Sequence, residues 1–245
     1  MKKTLFAGVM ALVATICLPL SAQAADYSLN VANFCELTVV DVSPNKYVCC
    51  ADSAGMVVFS AEPGDASKIT FSNNKEHLRI QSAADDRPLK GLPRVRVYSA
   101  SLRAVENSGD SLLRVYVSVP VQKFKARQIG NGSIEIRGLQ ADEFDGDVAA
   151  GRGSLCVEGK ARKAKFKNVS NGPIDASRLE VAEVSCFIFG SGNVDCAPTR
   201  ALKVLGAGGG KVYYHTAPEK ITNRSIGVKA VAKSEEDSDI VEPQS

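Results

Sequence analysis

The chain has 245 residues, of which 44% are hydrophobic and 6% aromatic, with 20 glycines and no tryptophan. This length allows one long domain or two modest ones, and the composition favours a narrow β structure with glycine corners over a large mixed core. The formal net charge of +3 excludes a global electrostatic argument for nucleic acid or an anionic membrane as partner.

Residues 1–24 predict a secretory signal peptide. Lys2 and Lys3 precede an apolar run from Leu5 to Leu20, and Ala22-Gln23-Ala24 supplies the small residues of a cleavage site. We expect cleavage before Ala25 and export of the mature chain to the periplasm, the outer membrane surface or the exterior. Later parts of the sequence contain no apolar stretch long enough to span a bilayer.

Residues 25–118 are expected to form an N-terminal β region that packs on the following repeats or continues them. A polar lead-in covers Asp26–Asn33, and turn residues at Ser43–Lys46, Glu62–Asp65 and Ser72–Lys75 separate segments of strand-like composition. The charged, proline-containing stretch Ala83–Pro93 predicts an exposed loop. The expected strands are Phe34–Asp41, Tyr47–Ala51, Met56–Ala61, Lys68–Phe71 and His77–Gln81.

The end of this region predicts the first coil of a repeat array. Arg94–Ser99 alternates basic residues with Val and Tyr, and Asn107-Ser108-Gly109 has the composition of a turn. The hydrophobic patterns after the signal peptide all have period two, so we expect no helix there. The residues that share one face of the strand behind the turn are Leu113, Val115, Val117 and Val119.

Residues 119–218 contain a unit of roughly twenty residues that repeats around a glycine turn. The residues two and four places after the last glycine of each turn point inward, as in a half-buried strand. A short period with one turn per unit is typical of a β-solenoid. The turns are Gly130–Gly132, Gly151–Gly153, Asn171–Gly172, Gly190–Gly192 and Gly208–Gly210. The inward residues behind them are Ile134, Leu155, Ile174, Val194 and Val212, followed by Ile136, Val157, Ala176, Cys196 and Tyr214.

The strand before each turn also alternates, and its outward residues carry charge. The inward residues are Phe124, Ala126, Phe144, Val148, Ala164, Phe166, Val184, Cys186, Ile188, Leu202 and Val204. The outward residues change sign from coil to coil: Lys123, Lys125 and Arg127, then Glu143, Asp145 and Asp147, then Lys163, Lys165 and Lys167, then Glu183. Opposite charges would meet in a parallel stack, each exposed pair contributing at most a few tenths of a kcal/mol. A coil stacked out of order would place like charges together, so we interpret this charge ladder as a signal that fixes the stacking.

Two segments follow the repeats. Ile221–Lys233, within residues 219–233, predicts a capping strand. Residues 234–245 predict a disordered acidic tail. The tail takes its charge from Glu235, Glu236, Asp237 and Asp239.

The charged clusters of the repeats do not predict a catalytic or metal site. The basic run Lys160–Lys167 suggests a nucleic-acid or glycosaminoglycan surface, but the charge ladder explains it without a ligand. An acidic group that could bind calcium lacks the spacing of an EF-hand and the repeats of calcium-binding β-rolls; it comprises Asp142, Glu143, Asp145 and Asp147. The outward acids of the second strands form a column on a solvated face, namely Glu135, Asp175 and Asp195, interrupted by Cys156.

Other motifs are also better explained by structure. His77 and His215 have no His or Cys neighbours in sequence, so neither zinc nor a histidine-based triad is expected. The adjacent Cys49 and Cys50 would point to opposite faces of a strand, which excludes a redox motif. Gly206–Gly210 lacks the helix and the lysine-hydroxyl ending of a phosphate loop. We predict no catalytic residues, no cofactor and no metal.

The cysteines of the mature chain are expected to be buried thiols rather than a disulfide framework. Cys156 faces outward and Cys196 inward two coils away, which is beyond disulfide reach. Cys186 and Cys196 point inward from walls about 10 Å apart, too far unless the lumen narrows there. Acylation of Cys17, as in a lipoprotein, is an alternative that Ile16 argues against, because a small residue is expected at that place. The mature cysteines are Cys35, Cys49, Cys50, Cys156, Cys186 and Cys196.

Several segments resemble the head GIN domain family, whose members are labelled "putative auto-transporter adhesins". They are Val95–Ser99, Val105–Ser111, Val119-Pro120, Phe189–Asp195 and Gly208–Tyr214. The resemblance extends from about Phe34 to Pro218 and implies an exported bacterial protein with a right-handed β-helix-like fold. It implies no catalytic residues, because the family has no established reaction. The second, third and fifth turns depart from the Gly-Ser-Gly corner of that family.

Together these observations predict an all-β protein: a right-handed β-helix-like solenoid with glycine corners, preceded by an N-terminal β region. The leading functional hypothesis is an exported, non-enzymatic adhesin-like or scaffold module of the cell envelope that binds a glycan or a protein, and not nucleic acid. One alternative is a carbohydrate-active enzyme of the parallel β-helix type, for which only Ala83–Pro93 offers a cleft-forming loop. The other is a purely structural envelope protein.

Overall fold

The computed structural model describes residues 24–40, 46–50, 54–82 and 94–233, with the backbone alone for residues 46–50. The strands in these ranges form one sheet that winds into a solenoid, as predicted. The first nine are β1 (Ala25–Asn30), β2 (Glu36–Val40), β3 (Lys46–Cys50), β4 (Met56–Ala61), β5 (Ile69–Asn74), β6 (His77–Ser82), β7 (Val95–Tyr98), β8 (Ala104–Ser108) and β9 (Leu112–Tyr116). The others are β10 (Val121–Ile129), β11 (Ser133–Ala150), β12 (Ser154–Asn168), β13 (Ile174–Ile188), β14 (Val194–Ala207), β15 (Lys211–Tyr214), β16 (Lys220–Ile226) and β17 (Lys229–Ala232). The expected signal peptide up to residue 23, the loop at 83–93 and the tail at 234–245 lie outside the described residues.

The solenoid has two faces. Face A contains, in stacking order, β5, β6, β2, β8, β10, the second halves of β11 to β14, and β16. Face B contains β1, β4, β7, β3, β9, the first halves of β11 to β14, β15 and β17. The glycine turns from face A to face B are called first corners here, and the bends that lead back are called second corners. From β10 onward the chain forms six coils. The last of them consists of β16 and β17, where the sequence predicted a single capping strand.

The core lies between the two faces and is formed by the predicted inward residues. All inward residues before and after the five predicted turns are buried except Tyr214, which is half-buried near the end of the stack. The rings of Phe124 and Phe144 stack with centroids 6.4 Å apart, and those of Phe144 and Phe166 lie 6.0 Å apart. Burial of each such side chain stabilises the fold by about 1.5–3 kcal/mol. Val119 was also expected to point inward, but it is 45% exposed because the chain has already left face B.

The first corners require glycine because consecutive coils approach closely there. A Cβ atom on Gly172 would lie 1.7 Å from the carbonyl oxygen of Gly153 in the preceding coil. Buried side chains satisfy the backbone of these turns. Asn168 Nδ2 donates to the carbonyl oxygen of Gly172 at 2.8 Å, and Asn107 Nδ2 donates to that of Ser111 at 2.8 Å.

The N-terminal region continues the stack, but not in chain order. The coil of β2 and β3 lies between the coil of β6 and β7 and the coil of β8 and β9. After β7 the chain therefore crosses the β2–β3 coil, where Ser99 Oγ donates to the carbonyl oxygen of Phe34 and the amide of Arg103 donates to that of Cys35 at 2.8 Å. β1 pairs with β4, β4 pairs with β7 and β5 pairs with β6, all antiparallel. These strands close the N-terminal end of the solenoid. The polar lead-in at Asp26–Asn33 includes most of β1, which pairs with β4.

Two local predictions differ from the structure. The expected turn at Glu62–Asp65 contains a single turn of helix, α1 (Pro63–Ala66), which corrects the prediction of no helix; proline is favoured at the start of a helix. The expected turn at Ser72–Lys75 lies later, at Lys75-Glu76, whose φ angles of 52° and 62° are those of a tight hairpin turn. None of the helices in the described ranges is long and apolar enough to cross a membrane.

Candidate binding groove

A groove lies at the second corner where the chain passes from β9 to β10. β9 ends at Tyr116 and β10 begins at Val121. Pro120 has no N–H group for strand pairing, which favours an interruption of the ladder at this place. The opposite wall is Ala100–Arg103, the segment that crosses the β2–β3 coil. The groove has a volume of about 390 Å³.

The lining of this second-corner groove is mainly apolar. Leu102 and Val117 are 4% and 7% exposed and lie deepest, whereas Tyr116 and Val119 are 39% and 45% exposed. Concave apolar surfaces with a few polar groups are the usual form of a ligand site. The apolar lining residues are Ala100, Leu102, Tyr116, Val117, Val119, Pro120 and Val121, and the polar ones are Ser101, Arg103, Gln122 and Lys123.

The two cations of the groove differ in their partners. Lys123 Nζ lies 2.6 Å from Asp145 Oδ2 and 3.3 Å from Glu143 Oε2. The hydrogen bond to Asp145 is the main cause that raises the pKa of Lys123, so this lysine stays charged and paired. Arg103 is exposed and forms no ion pair with any residue that the structure describes. The groove therefore offers Arg103 as a cation for a polar or anionic ligand group.

A shallower depression of about 520 Å³ continues the groove along the second corners of the next coils. It shares Pro120, Val121 and Gln122 with the groove, and its other lining residues are Gln140, Ala141, Asp142, Lys160, Ala161 and Arg162. Here Arg162 Nε lies 3.9 Å from Asp142 Oδ1. The sequence offered only Ala83–Pro93 as a cleft-forming loop, whereas the groove and the depression lie at second corners elsewhere in the chain.

A comparison with protein families identifies the family of the chain. A family model described as "Putative auto-transporter adhesin, head GIN domain" matches residues 46–218. The chain belongs to this family. The matched residues include both walls of the groove and the five predicted glycine turns, so the resemblance inferred from the sequence is confirmed.

Solved structures share the fold of this GIN-domain protein at low identity. A "putative adhesin" from Bacteroides fragilis has a TM-score of 0.72 and 16% identity, over 86% of this chain and 97% of that chain. A "putative lipid binding protein" from Parabacteroides distasonis has a TM-score of 0.65 and 16% identity, over 85% and 97%. A "putative adhesin" from the same species has a TM-score of 0.63 and 21% identity, over 86% and 98%. No curated protein matches the chain. These identities support the fold alone.

The charge ladder of the GIN domain has the predicted register but only part of the predicted pairing. The basic residues of β10 lie opposite the acids of β11, and these lie opposite the lysines of β12. Lys163 Nζ lies 3.4 Å from Glu183 Oε2. Lys165 and Lys167 form no ion pair within the described part of the chain, and their neighbours on β13 are serine and phenylalanine. On the β11 side the ladder places an acid opposite each of the three lysines, as predicted, whereas on the β13 side only Lys163 has an acid opposite it.

Both histidines have partners that sequence spacing could not show. His77 Nε2 lies 2.8 Å from Thr38 Oγ1, and His215 Nε2 lies 3.1 Å from Asp195 Oδ1. Lys233 Nζ lies 3.3 Å from the same carboxylate oxygen, so Asp195 is shared between two cationic or donor groups rather than dedicated to orienting a base. In the described ranges, no three His, Cys, Asp or Glu side chains converge as a metal site.

The cysteines whose side chains are described are free thiols, namely Cys35, Cys156, Cys186 and Cys196. Burial is the main cause that raises the pKa of Cys35 and of Cys156. A hydrogen bond with Cys196, together with burial, raises the pKa of Cys186 well above its usual range. Both thiols are buried, and Cys196 Sγ also lies 3.5 Å from the carbonyl oxygen of Tyr213.

Proposed function

We propose that the chain is an exported, non-enzymatic, adhesin-like module of the bacterial cell envelope that binds a glycan or protein partner in the second-corner groove. The observation that carries the proposal is the groove itself, with its apolar floor, exposed Tyr116 and unpaired Arg103. Tyrosine and arginine side chains are frequent centres of binding energy at recognition surfaces. The family description supports an adhesin-like role.

The composition of the groove supports binding over catalysis. Hydrolysis of a glycosidic bond ordinarily uses two carboxyl groups that flank the bond. The described residues that line the groove include no Asp, Glu, His or Cys. In the adjoining depression the acidic lining residue is Asp142, and Arg162 lies 3.9 Å from it.

Export is part of the same proposal. β1 begins at Ala25, so removal of residues 1–24 would leave every described strand complete. A family of auto-transporter adhesins fits a location in the periplasm, on the outer membrane surface or outside the cell. Mass spectrometry of the mature protein should give Ala25 as the first residue.

An acyl chain is a second candidate ligand for the groove. Its apolar lining supports this reading, and the fold neighbour from Parabacteroides distasonis is described as a "putative lipid binding protein". A purely structural role in the envelope is the remaining alternative.

The test uses the purified mature chain on glycan and matrix-protein arrays, with polysaccharide turnover and a fluorescent fatty acid alongside. We expect a glycan or protein ligand whose affinity falls about tenfold in Tyr116→Ala and in Arg103→Gln, since each variant removes a central contact. Arg152→Gln, at an exposed first corner, is the matched control and should bind normally. Polysaccharide cleavage would contradict the proposal, fatty-acid binding alone would favour the second candidate, and silence in every assay would favour the structural role.

A further inference from the structure

The outer surface of face A changes character in its last coils. In the preceding coils, outward charges of opposite sign lie in register from strand to strand. Further along one outward column, Lys167 on β12 lies opposite Phe187 on β13, which lies opposite Leu205 on β14, which lies opposite Arg224 on β16. The ladder is thus replaced by two apolar side chains between two cations.

Apolar side chains also protrude at the adjoining first corners. Val169 is 42% exposed, Phe189 55% and Ile226 80%. Ala207 lies opposite Ile226 in the strand register. We call Val169, Phe189, Ala207 and Ile226 the corner ridge. At the usual strand spacing the ridge is about 15 Å long, and because it follows a row of tight turns it is convex.

The cations beside the ridge form no ion pairs within the described part of the chain, although Lys167 lies opposite Asp147 in the strand register; the ion pair of Asp147 is with Arg127, at 3.6 Å. Lys167, Lys203 and Arg224 are exposed, and none of them forms an ion pair with a residue that the structure describes. The acid on the outward side of β13, Glu183, is already engaged by Lys163 at 3.4 Å and by Arg200 at 3.3 Å. The surface therefore combines protruding apolar groups with free positive charge.

We propose that the corner ridge and these three cations form a docking surface for an anionic lipid membrane. Phe189 and Ile226 insert at the level of the headgroups and upper acyl chains, and Lys167, Lys203 and Arg224 contact headgroup phosphates. Inserted apolar side chains with neighbouring cations are the features of interfacial membrane binding. A convex ridge fits a flat surface better than it fits a peptide or a sugar chain, which bind in clefts. The small total charge excludes a global attraction to membranes, but not this local one.

The docking goes beyond the proposed binding in the groove. The ridge lies at the first corners and the groove at a second corner, so a docked molecule keeps its groove away from the membrane. The two surfaces also share no residue, so each can be changed without the other.

The test is co-sedimentation of the full mature chain with phosphatidylcholine vesicles, with and without phosphatidylglycerol, at low and high salt. We expect binding only to the anionic vesicles, with loss at high salt. The variant K167Q/K203Q/R224Q should bind about fivefold more weakly for each cation removed. The variant F189S/I226S should lose binding about tenfold or more, because both side chains leave water on docking.

The matched control removes the same charge at the opposite end of the solenoid, in R79Q/R94Q/R96Q, and should bind like the wild-type chain. Circular dichroism establishes that each variant is folded. Equal binding to neutral vesicles, no binding to either type, or the same loss in the control would overturn the proposal. Capture of an acidic protein through the ridge, without vesicle binding, would overturn it too. If the Tyr116 and Arg103 variants lose binding to the arrays but still bind vesicles, that result bears on the groove and not on the ridge.

Discussion

Replacement of Gly172 by alanine tests whether the first corners are sterically closed. The new Cβ atom would lie 1.7 Å from the carbonyl oxygen and 2.8 Å from the carbonyl carbon of Gly153. Both are backbone atoms of the preceding coil, so no side chain can move aside to relieve the contact. The two coils must separate at this corner.

The separation affects a buried hydrogen-bond network. Asn168 Nδ2 donates to the carbonyl oxygen of Gly172 at 2.8 Å, and the amide of Gly172 donates to Ser170 Oγ at 3.1 Å. Overpacking costs about 1–3 kcal/mol, and a buried polar group left without a partner costs about 1–3 kcal/mol. We therefore expect Gly172→Ala to lower the free energy of unfolding by about 3 kcal/mol, which corresponds to about 6–12 °C in Tm for a chain of this size.

Gly209→Ala is the matched control. Gly209 also lies in a first corner, but no atom lies within 4 Å of a Cβ placed there. This variant should be neutral or up to about 1 kcal/mol more stable, because alanine restricts the unfolded chain. Urea unfolding and thermal melting measure the difference, and amide exchange at residues 168–194 reports local opening, since solenoid coils can open singly. Equal stability of the two variants would refute the steric argument.

Three further predictions concern the corner network, the charge ladder and the lumen thiols. Asn168→Ala should lower the free energy of urea unfolding by about 1–3 kcal/mol, because it leaves a buried carbonyl oxygen without a donor. Lys163→Glu should lower the free energy of unfolding more than Lys167→Glu, by up to about 1 kcal/mol, because of the two only Lys163 has an ion pair, with Glu183. Because the folded pKa of Cys186 is raised from 9.0, the unfolded thiol loses its proton first, so stability is complete below that pH and falls as pH rises above it. Cys186→Ala should flatten this decline in unfolding experiments between neutral and alkaline pH.

The core of the solenoid could be predicted because each coil repeats the same inward positions. Phe124 and Phe144 occupy equivalent places in neighbouring coils and stack in the structure, and Phe166, opposite Gly146 in the next coil, lies 6.0 Å from Phe144. The register follows from the same repeat, since a shift by one residue would turn every inward side chain outward. The repeat therefore determines both the core positions and the register of the stacked strands.

The groove could not be predicted because it depends on what does not repeat. Val119 continues the alternation of β9, and the sequence pattern therefore places it inward, but no strand pairing extends to it before Pro120. The opposite wall, Ala100–Arg103, is there because the chain crosses the β2–β3 coil after β7. That stacking order depends on pairing between segments distant in sequence, which no local pattern specifies.

The chemistry of the corner ridge is independent of the requirements of stacking. A first corner must be small where the coils touch, as at Gly172, but Phe189 and Ile226 lie outside that contact and are 55% and 80% exposed. Ser108 occupies the equivalent position in an earlier coil, opposite Ile129, so a polar residue is compatible with the stack. Folding alone therefore does not account for Phe189 and Ile226, whose exposure to water brings the isolated chain no stability. Apolar side chains at these positions become favourable when a second surface removes them from water, and the unpaired cations beside them indicate that this surface is anionic.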